Sequence, residues 1–152
     1  MGQRDPGRLV GCELCMQDGG LLVHRGVKLR VIRATEPEHP AFYRVVWNDH
    51  VTEFSDLDLA ARRLCLDAVT AVEQVLRAAL RPAKINLASL GNMVPHLHWH
   101  VIARFTDDAH WPQPVWAPAQ RPGGDAAARL ALPLAELDAQ VVAALAAMSA
   151  TD

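Results

Sequence analysis

The stretch Pro95-His96-Leu97-His98-Trp99-His100-Val101-Ile102 decides the reading of this chain. Side chains alternate across a β-strand, so His96, His98 and His100 are expected to share one face while Leu97, Trp99 and Val101 share the other. Three imidazoles on one strand face can supply a nucleophile, because neutral imidazole is competent in that role near pH 7. They can also converge on one metal ion, if the strand bends or two of them suffice. A solvated polar face is the bland alternative, and the apolar Trp99, Val101 and Ile102 argue against it.

Working outward, Lys84 to Leu90 reads as a second strand and Gly91-Asn92 as the turn joining it to the histidine strand, which runs from Pro95 to Phe105. This hairpin is expected at the heart of the sheet. Upstream, Leu21-Leu22-Val23, Val31-Ile32 and Tyr43-Arg44-Val45-Val46-Trp47 read as two or three antiparallel strands. Between the two sets, Leu57, Ala61, Leu64, Ala68, Val72, Leu76 and Ala79 recur at helical spacing from an N-cap at Ser55-Asp56 until Pro82 forbids continuation. Cys65 falls near the buried side of that helix. Prolines 112, 114, 118 and 122 make 110–124 an irregular segment, and a last helix is expected over 133–149.

At 152 residues, 51% hydrophobic and 21% charged, the sequence is read as one globular α+β domain over 1–152, with its core at about 12–118. A net charge of −2 offers no cationic surface for polymeric nucleic acid. Met1-Gly2-Gln3-Arg4-Asp5-Pro6 has no apolar leader and no stretch is long enough for a membrane span, so the expected location is cytoplasmic. Cys12-Glu13-Leu14-Cys15 has the spacing of half a zinc site, and its two thiols can equally remain reduced and metal-free. Glu36, Glu38 and His39 read as a solvated loop, and His24 and His110 as surface positions. There is no P-loop, H-E-x-x-H or G-x-S-x-G element.

The segment from Asn86 to Ile102, with its Gly91 turn ahead of His96, His98 and His100, strongly resembles the signature of the histidine triad (HIT) family. The resemblance extends more loosely through Trp47-Asn48-Asp49-His50-Val51 and the following helix, so that it covers most of residues 12 to 105. It is nearest to bacterial diadenosine polyphosphate hydrolase-like members. It implies a five-stranded antiparallel sheet with one long helix and a C-terminal helix. It also implies hydrolysis or transfer at the α-phosphate of a nucleotide, cleaving a phosphoanhydride or phosphoramidate bond through a nucleotidyl-histidine intermediate. A pocket that binds nucleotide as a regulatory module, with slow or no turnover, is the alternative.

The roles implied are His98 as nucleophile, its second ring nitrogen held by a backbone carbonyl, His100 as the hydrogen-bond donor to phosphate or bridging oxygen, and His96 as a buttress. Asn86, Asn92, Met93, His50 and Trp99 complete the expected substrate contacts. Thr35 and Glu36 stand nearest to the acidic residue that many relatives use for ribose, and Asn92 and Met93 replace a Gln and a hydroxyl. No cofactor is implied for the chemistry. Some relatives hold a structural zinc through a cysteine pair, a fourth histidine and the first histidine of the triad, which here are Cys12, Cys15, His50 and His96. A homodimer through the long helix and the Lys84–Leu90 strand is also implied, with the Trp111 to Trp116 segment reaching the partner's pocket.

Overall fold

The computed structural model describes residues 7–149, so the leaderless start expected at 1–6 lies outside the described residues. Strands β1 (Leu21–Arg25), β2 (Leu29–Arg33), β3 (Phe42–Trp47), β4 (Lys84–Ala88) and β5 (His98–Arg104) form one antiparallel sheet in the order β1-β2-β3-β5-β4. The four-residue helix α1 (Glu13–Met16) precedes it, α2 (Leu59–Leu80) joins β3 to β4, and α3 (Leu134–Ser149) follows β5. The expected fold is therefore found, with β4 pairing β5 as read. The pair lies at one side of the sheet, however, with β4 as its edge.

Period-two patterning divides the sheet into two faces. Leu29, Val31, Tyr43, Val45, Trp47, Ile85, Val101 and Ala103 point to one side and pack against Cys65, Ala68, Val72 and Leu76 of α2 and Leu137, Val141 and Leu145 of α3. Asp138 fixes α3 across this interface, accepting from Tyr43 Oη at 2.6 Å and from Arg33 Nε at 3.0 Å. On the opposite face Ile32 and Val46 pack under Cys12, Leu14 and Cys15, while Phe42 and Ile102 pack under Val115. The helices thus cover one face, and the N-terminal turn and proline-rich segment cover parts of the other. The gap between those two covers is where the histidines of β5 emerge.

Two boundaries differ from the sequence reading for local reasons. Ser55-Asp56 does not start α2, because Phe54–Asp56 is a separate 3-10 turn closed by Glu53 and Asp56, and Leu57 returns to extended backbone. Asp58 is the cap, its carboxylate accepting from the Ala61 amide at 2.8 Å. Arg81 ends the helix in the left-handed region at φ 48°, immediately before Pro82. The histidine strand starts at His98 and not at Pro95. Pro95 has no amide proton to donate, the His96 amide turns back to the Val94 carbonyl, and Leu97 bonds Val51 and Trp47 off the end of β3. The β4–β5 connection is accordingly a broad loop through Gly91, whose φ of +81° suits glycine, and no tight hairpin.

Candidate functional site

His98 and His100 project from β5 into a cleft of about 340 Å³ lined also by Glu13, Leu14, Gly19, Arg44, Asn92, Met93 and Trp116. Larger hollows of about 640 Å³ lie beside α2 and contain none of the triad histidines. His98 Nδ1 is 2.6 Å from the carbonyl oxygen of His96. A carbonyl can only accept, so Nδ1 carries the proton and Nε2 presents a lone pair. Burial, with help from Arg44, holds His98 below the ordinary imidazole range against the opposing effect of that carbonyl. His100 is pushed down to about 3 by burial, by His98 and by Arg44. Both rings are therefore neutral near pH 7.

His96 departs from the expectation that three imidazoles line one groove. It precedes β5, its ring is fully buried, and it lines none of the cleft. Its Nε2 is 2.6 Å from the Trp47 carbonyl and must donate there, which leaves the Nδ1 lone pair facing Cys12 Sγ and Cys15 Sγ, each at 3.4 Å. His50 Nδ1 lies 3.4 Å from Cys15 Sγ, and the ligating atoms of Cys12, Cys15, His50 and His96 all lie within 4.8 Å of one another. Tetrahedral zinc with ordinary bond lengths sets nitrogen and sulfur ligands about 3.5 Å apart, so this donor set fits zinc. Two thiolates would also balance the dication. The Leu9 amide points at Cys15 Sγ at 3.4 Å, and the Trp47 carbonyl fixes the His96 tautomer, as partners of metal ligands do. Without a metal, burial raises the Cys15 thiol above its usual range, and only the Leu9 amide and the Arg8 charge work against this.

Asn92 and Met93 line the cleft, Met93 on its outer rim. Asn86 shares the histidine face, but its Oδ1 accepts from Arg104 Nη1 at 2.8 Å and it does not line the cleft. His50 belongs to the cysteine cluster. Trp99 lies on the helix-covered face with its ring 5.6 Å from that of Phe54, so the structure does not bring it to the histidines. Thr35 and Glu36 are exposed outside the cleft, and the acidic side chain on its rim is Glu13.

Three cleft residues were not found by sequence reading. Arg44 stands directly across from His100 in the β3–β5 register, a pairing visible only once the strands are aligned. Glu13 is brought there by the short α1 turn. Trp116 edges onto its own chain's His100 with ring centroids 5.0 Å apart, where the sequence reading sent its segment to a partner's pocket. The proline-rich segment is held there by Asp108, which is buried and accepts from Arg104 Nε at 2.8 Å and Nη2 at 3.0 Å. His39 and His110, read as a solvated loop residue and a surface position, are both buried and meet at 2.8 Å. Their partnership spans 71 positions, and no local pattern announces it.

The model of the HIT domain family matches residues 22–107. The chain belongs to the HIT domain family. Its fold is that of solved HIT proteins, with the nucleotide-binding architecture of that family. A histidine triad protein from Bradyrhizobium japonicum is 28% identical, with a TM-score of 0.65 over 86% of this chain and 91% of that one. One from Marinobacter aquaeolei has a TM-score of 0.70 at 23% identity, covering 92% and 98% of the two chains. A HIT family protein from Mycobacterium smegmatis, described as Zn-bound, has a TM-score of 0.57 at 17% identity over 93% and 98%. The search of curated proteins returned no match. Among the described residues of this HIT protein, no helix is long and apolar enough to cross a membrane.

Proposed function

We propose that this HIT protein is a nucleotidyl hydrolase or transferase that cleaves a phosphoanhydride or phosphoramidate bond at the α-phosphate of a nucleotide. The observation that carries the reading is the 2.6 Å approach of His98 Nδ1 to the His96 carbonyl, which leaves a neutral Nε2 lone pair facing the cleft. His98 Nε2 attacks the α-phosphorus, the bond to the leaving group breaks with its electron pair, and a nucleotidyl-histidine forms. Water then attacks phosphorus, releases the nucleoside monophosphate and returns the electron pair to Nε2. His100 donates from Nε2 to a phosphate oxygen as charge builds, and Asn92 with the Met93 backbone borders the phosphate. His96 takes part through its carbonyl. Asn86, His50 and Trp99 act at one remove, through Arg104, the cysteine cluster and the core respectively.

We read 1–152 as one such domain, and Cys12, Cys15, His50 and His96 as the ligands of a structural zinc. The Zn-bound Mycobacterium smegmatis relative supports that assignment alongside the tautomer of His96. A zinc here would cross-link the α1 turn to the loop before β5, leaving His98 and His100 for chemistry.

The decisive assay offers the protein dinucleoside polyphosphates and adenosine phosphoramidates, with and without chelator, and follows release of monophosphate. Alkali-quenched samples, in which a histidine P–N bond survives, would be searched for nucleotide linked to His98 by mass spectrometry. Cleavage that survives brief chelation, with label on His98, is the expected result. Tight nucleotide binding without cleavage of any substrate would identify a binding module instead.

A further inference from the structure

Arg44 is the half-buried cation of the cleft, and its surroundings differ from those of the half-buried Arg33 and the buried Arg30 and Arg104. Arg33 pairs with Asp138 and Arg104 with Asp108, while Arg30 donates to three backbone carbonyls and to Asn48 Oδ1. Among the described residues Arg44 has no carboxylate within ion-pair distance. It donates from Nε to His100 Nδ1 at 3.3 Å and from Nη1 to the Gly19 carbonyl at 3.4 Å. A guanidinium has five N–H donors, so most of this fork is left for something else. Phe42 lies against it, with the guanidinium carbon 5.3 Å from the ring centroid, and burial depresses its pKa, opposed by Glu36 and Glu13. A partly desolvated cation with spare donors, at the edge of a cleft that contains a nucleophile, is a site for a phosphate.

The Arg44–His100 contact also settles a proton. Arg44 Nε can only donate, so His100 Nδ1 accepts and the His100 proton sits on Nε2. The cation beside the ring opposes a second proton. His100 is thus a neutral hydrogen-bond donor and a poor acid. A phosphate leaving group needs no more than this, since it departs as a stable anion. An amine must be given a proton as its P–N bond breaks, and a neutral imidazole gives one up reluctantly.

We propose that Arg44 binds the β-phosphate of a polyphosphate leaving group and fixes His100 as its neutral Nε2–H donor, so that the site selects phosphoanhydrides over amine-bearing phosphoramidates. This rests on the nucleotidyl-histidine reading above. In the step concerned, His98 Nε2 forms its bond to the α-phosphorus as the bridging P–O bond breaks. The electron pair stays on the β-phosphate oxygen, where Arg44 and His100 meet the charge, and no proton is transferred. Water later displaces His98 from phosphorus and gives its proton to solvent.

The test compares wild type with Arg44→Met, which keeps the apolar stem, and Arg44→Lys, which keeps the charge. Diadenosine tetraphosphate and an aromatic-amine adenosine phosphoramidate are the cleavable probes. In Arg44→Met, kcat/KM for the tetraphosphate is expected to fall by about 100-fold, the range for loss of one charged donor, and that for the phosphoramidate by under about 5-fold. AMP and α,β-methylene ADP are the binding probes. The roughly tenfold or greater preference expected for the diphosphate should vanish in Arg44→Met and partly return in Arg44→Lys, with AMP affinity unchanged. Nitrogen-15 spectra should show His100 as the Nε2–H tautomer in wild type and a mixture in Arg44→Met. Equal losses on both substrates, or equal weakening of AMP and the diphosphate, overturn the proposal while leaving His98 chemistry intact. A wild type that cleaves neither substrate overturns the catalytic reading instead, and the binding and tautomer measurements still decide the role of Arg44.

Discussion

His96 faces His98 with its carbonyl and the cysteine pair with its ring: the His96 oxygen lies 2.6 Å from His98 Nδ1, and its own Nδ1 lies 3.4 Å from both Cys12 Sγ and Cys15 Sγ. One residue therefore sets the tautomer of the proposed nucleophile and anchors the proposed metal cluster. The Trp47 carbonyl, 2.6 Å from His96 Nε2, locks the ring from behind. Loss of the cluster is then expected to reach catalysis through backbone position, without a metal touching substrate.

His98→Asn should lower turnover by at least about 10³-fold while nucleotide affinity stays within a few-fold, because covalent capture is lost and the cleft is retained. Steady-state rates and calorimetric titration with AMP measure the two quantities. Activity within tenfold of wild type would remove His98 from the mechanism.

Protein purified without chelator should contain about one zinc per chain by elemental analysis. Cys12→Ser should lose it and lower the melting temperature, as expected where metal binding is coupled to folding. A metal-free wild type, equally stable when zinc is added, is the opposing result.

The sheet and the long helix were legible from local signals: short β-rich runs such as that in Phe42–Trp47, alternation at the start of the histidine strand, and three-to-four spacing in Leu59–Leu80. The cysteine cluster was legible from the family resemblance. The separation of His96 from His98 and His100 was hidden, because alternation continues through Pro95 in the letters while the backbone leaves the ladder there. Arg44 was hidden for another reason. Its meaning comes from register, and register is a property of paired strands that no single strand displays. His39, Asp108 and His110 form a buried polar group across distant loops, where local polarity reads as solvent exposure.

Acid should destabilise the fold earlier than its carboxylates alone require. Burial lowers His39, and His100 falls from 6.5 to about 3, so between those values the unfolded chain binds protons that the folded chain refuses. For His100 this stability is fully present above about pH 6.5 and declines as pH falls towards 3, by up to about 1.4 kcal/mol per pH unit, and His39 works in the same direction. Urea unfolding at pH 7.5, 6 and 5 should show the slope, and His100→Gln should flatten it. A slope unchanged in that variant would mean that His100 is protonated in the folded protein.

Asp108 carries the opposite sign of charge in an equally buried place. Burial would raise its carboxyl, but hydrogen bonds from Arg104 and from the Phe105 and His110 amides outweigh that and hold it well below the usual carboxylate range. Asp108→Asn leaves the Arg104 guanidinium buried without its counter-charge, which costs about 3–5 kcal/mol when a buried pair is broken. The same substitution should raise protease sensitivity across 110–124, since Asp108 also takes the Trp111 amide at 2.8 Å. A loss below about 1 kcal/mol would show that the segment is held by its other contacts.

The last prediction concerns assembly, and we propose a homodimer through β4 and α2. Strand β4 is the sheet edge beside β5, and its outer backbone groups have no ladder partner among the described residues. Leu87 is 44% exposed on that strand and Leu90 55% exposed just beyond it, with Lys84 as the strand's only charge. An apolar edge with so little charge invites a second strand, and a two-fold axis lets the same edge serve both subunits and joins two five-stranded sheets into one. Leu66, 41% exposed on α2, would be covered in the same contact. Because Trp116 sits on its own chain's His100, each cleft keeps its aromatic wall whether or not a partner is present. The dimer should therefore support β4 and the loop from 89 to 97 that precedes His98. Sedimentation at micromolar protein is expected to give twice the 16.6 kDa chain mass, and Leu87→Asp to give a monomer with reduced turnover. A wild type that sediments as a fully active monomer would show that β4 needs no partner.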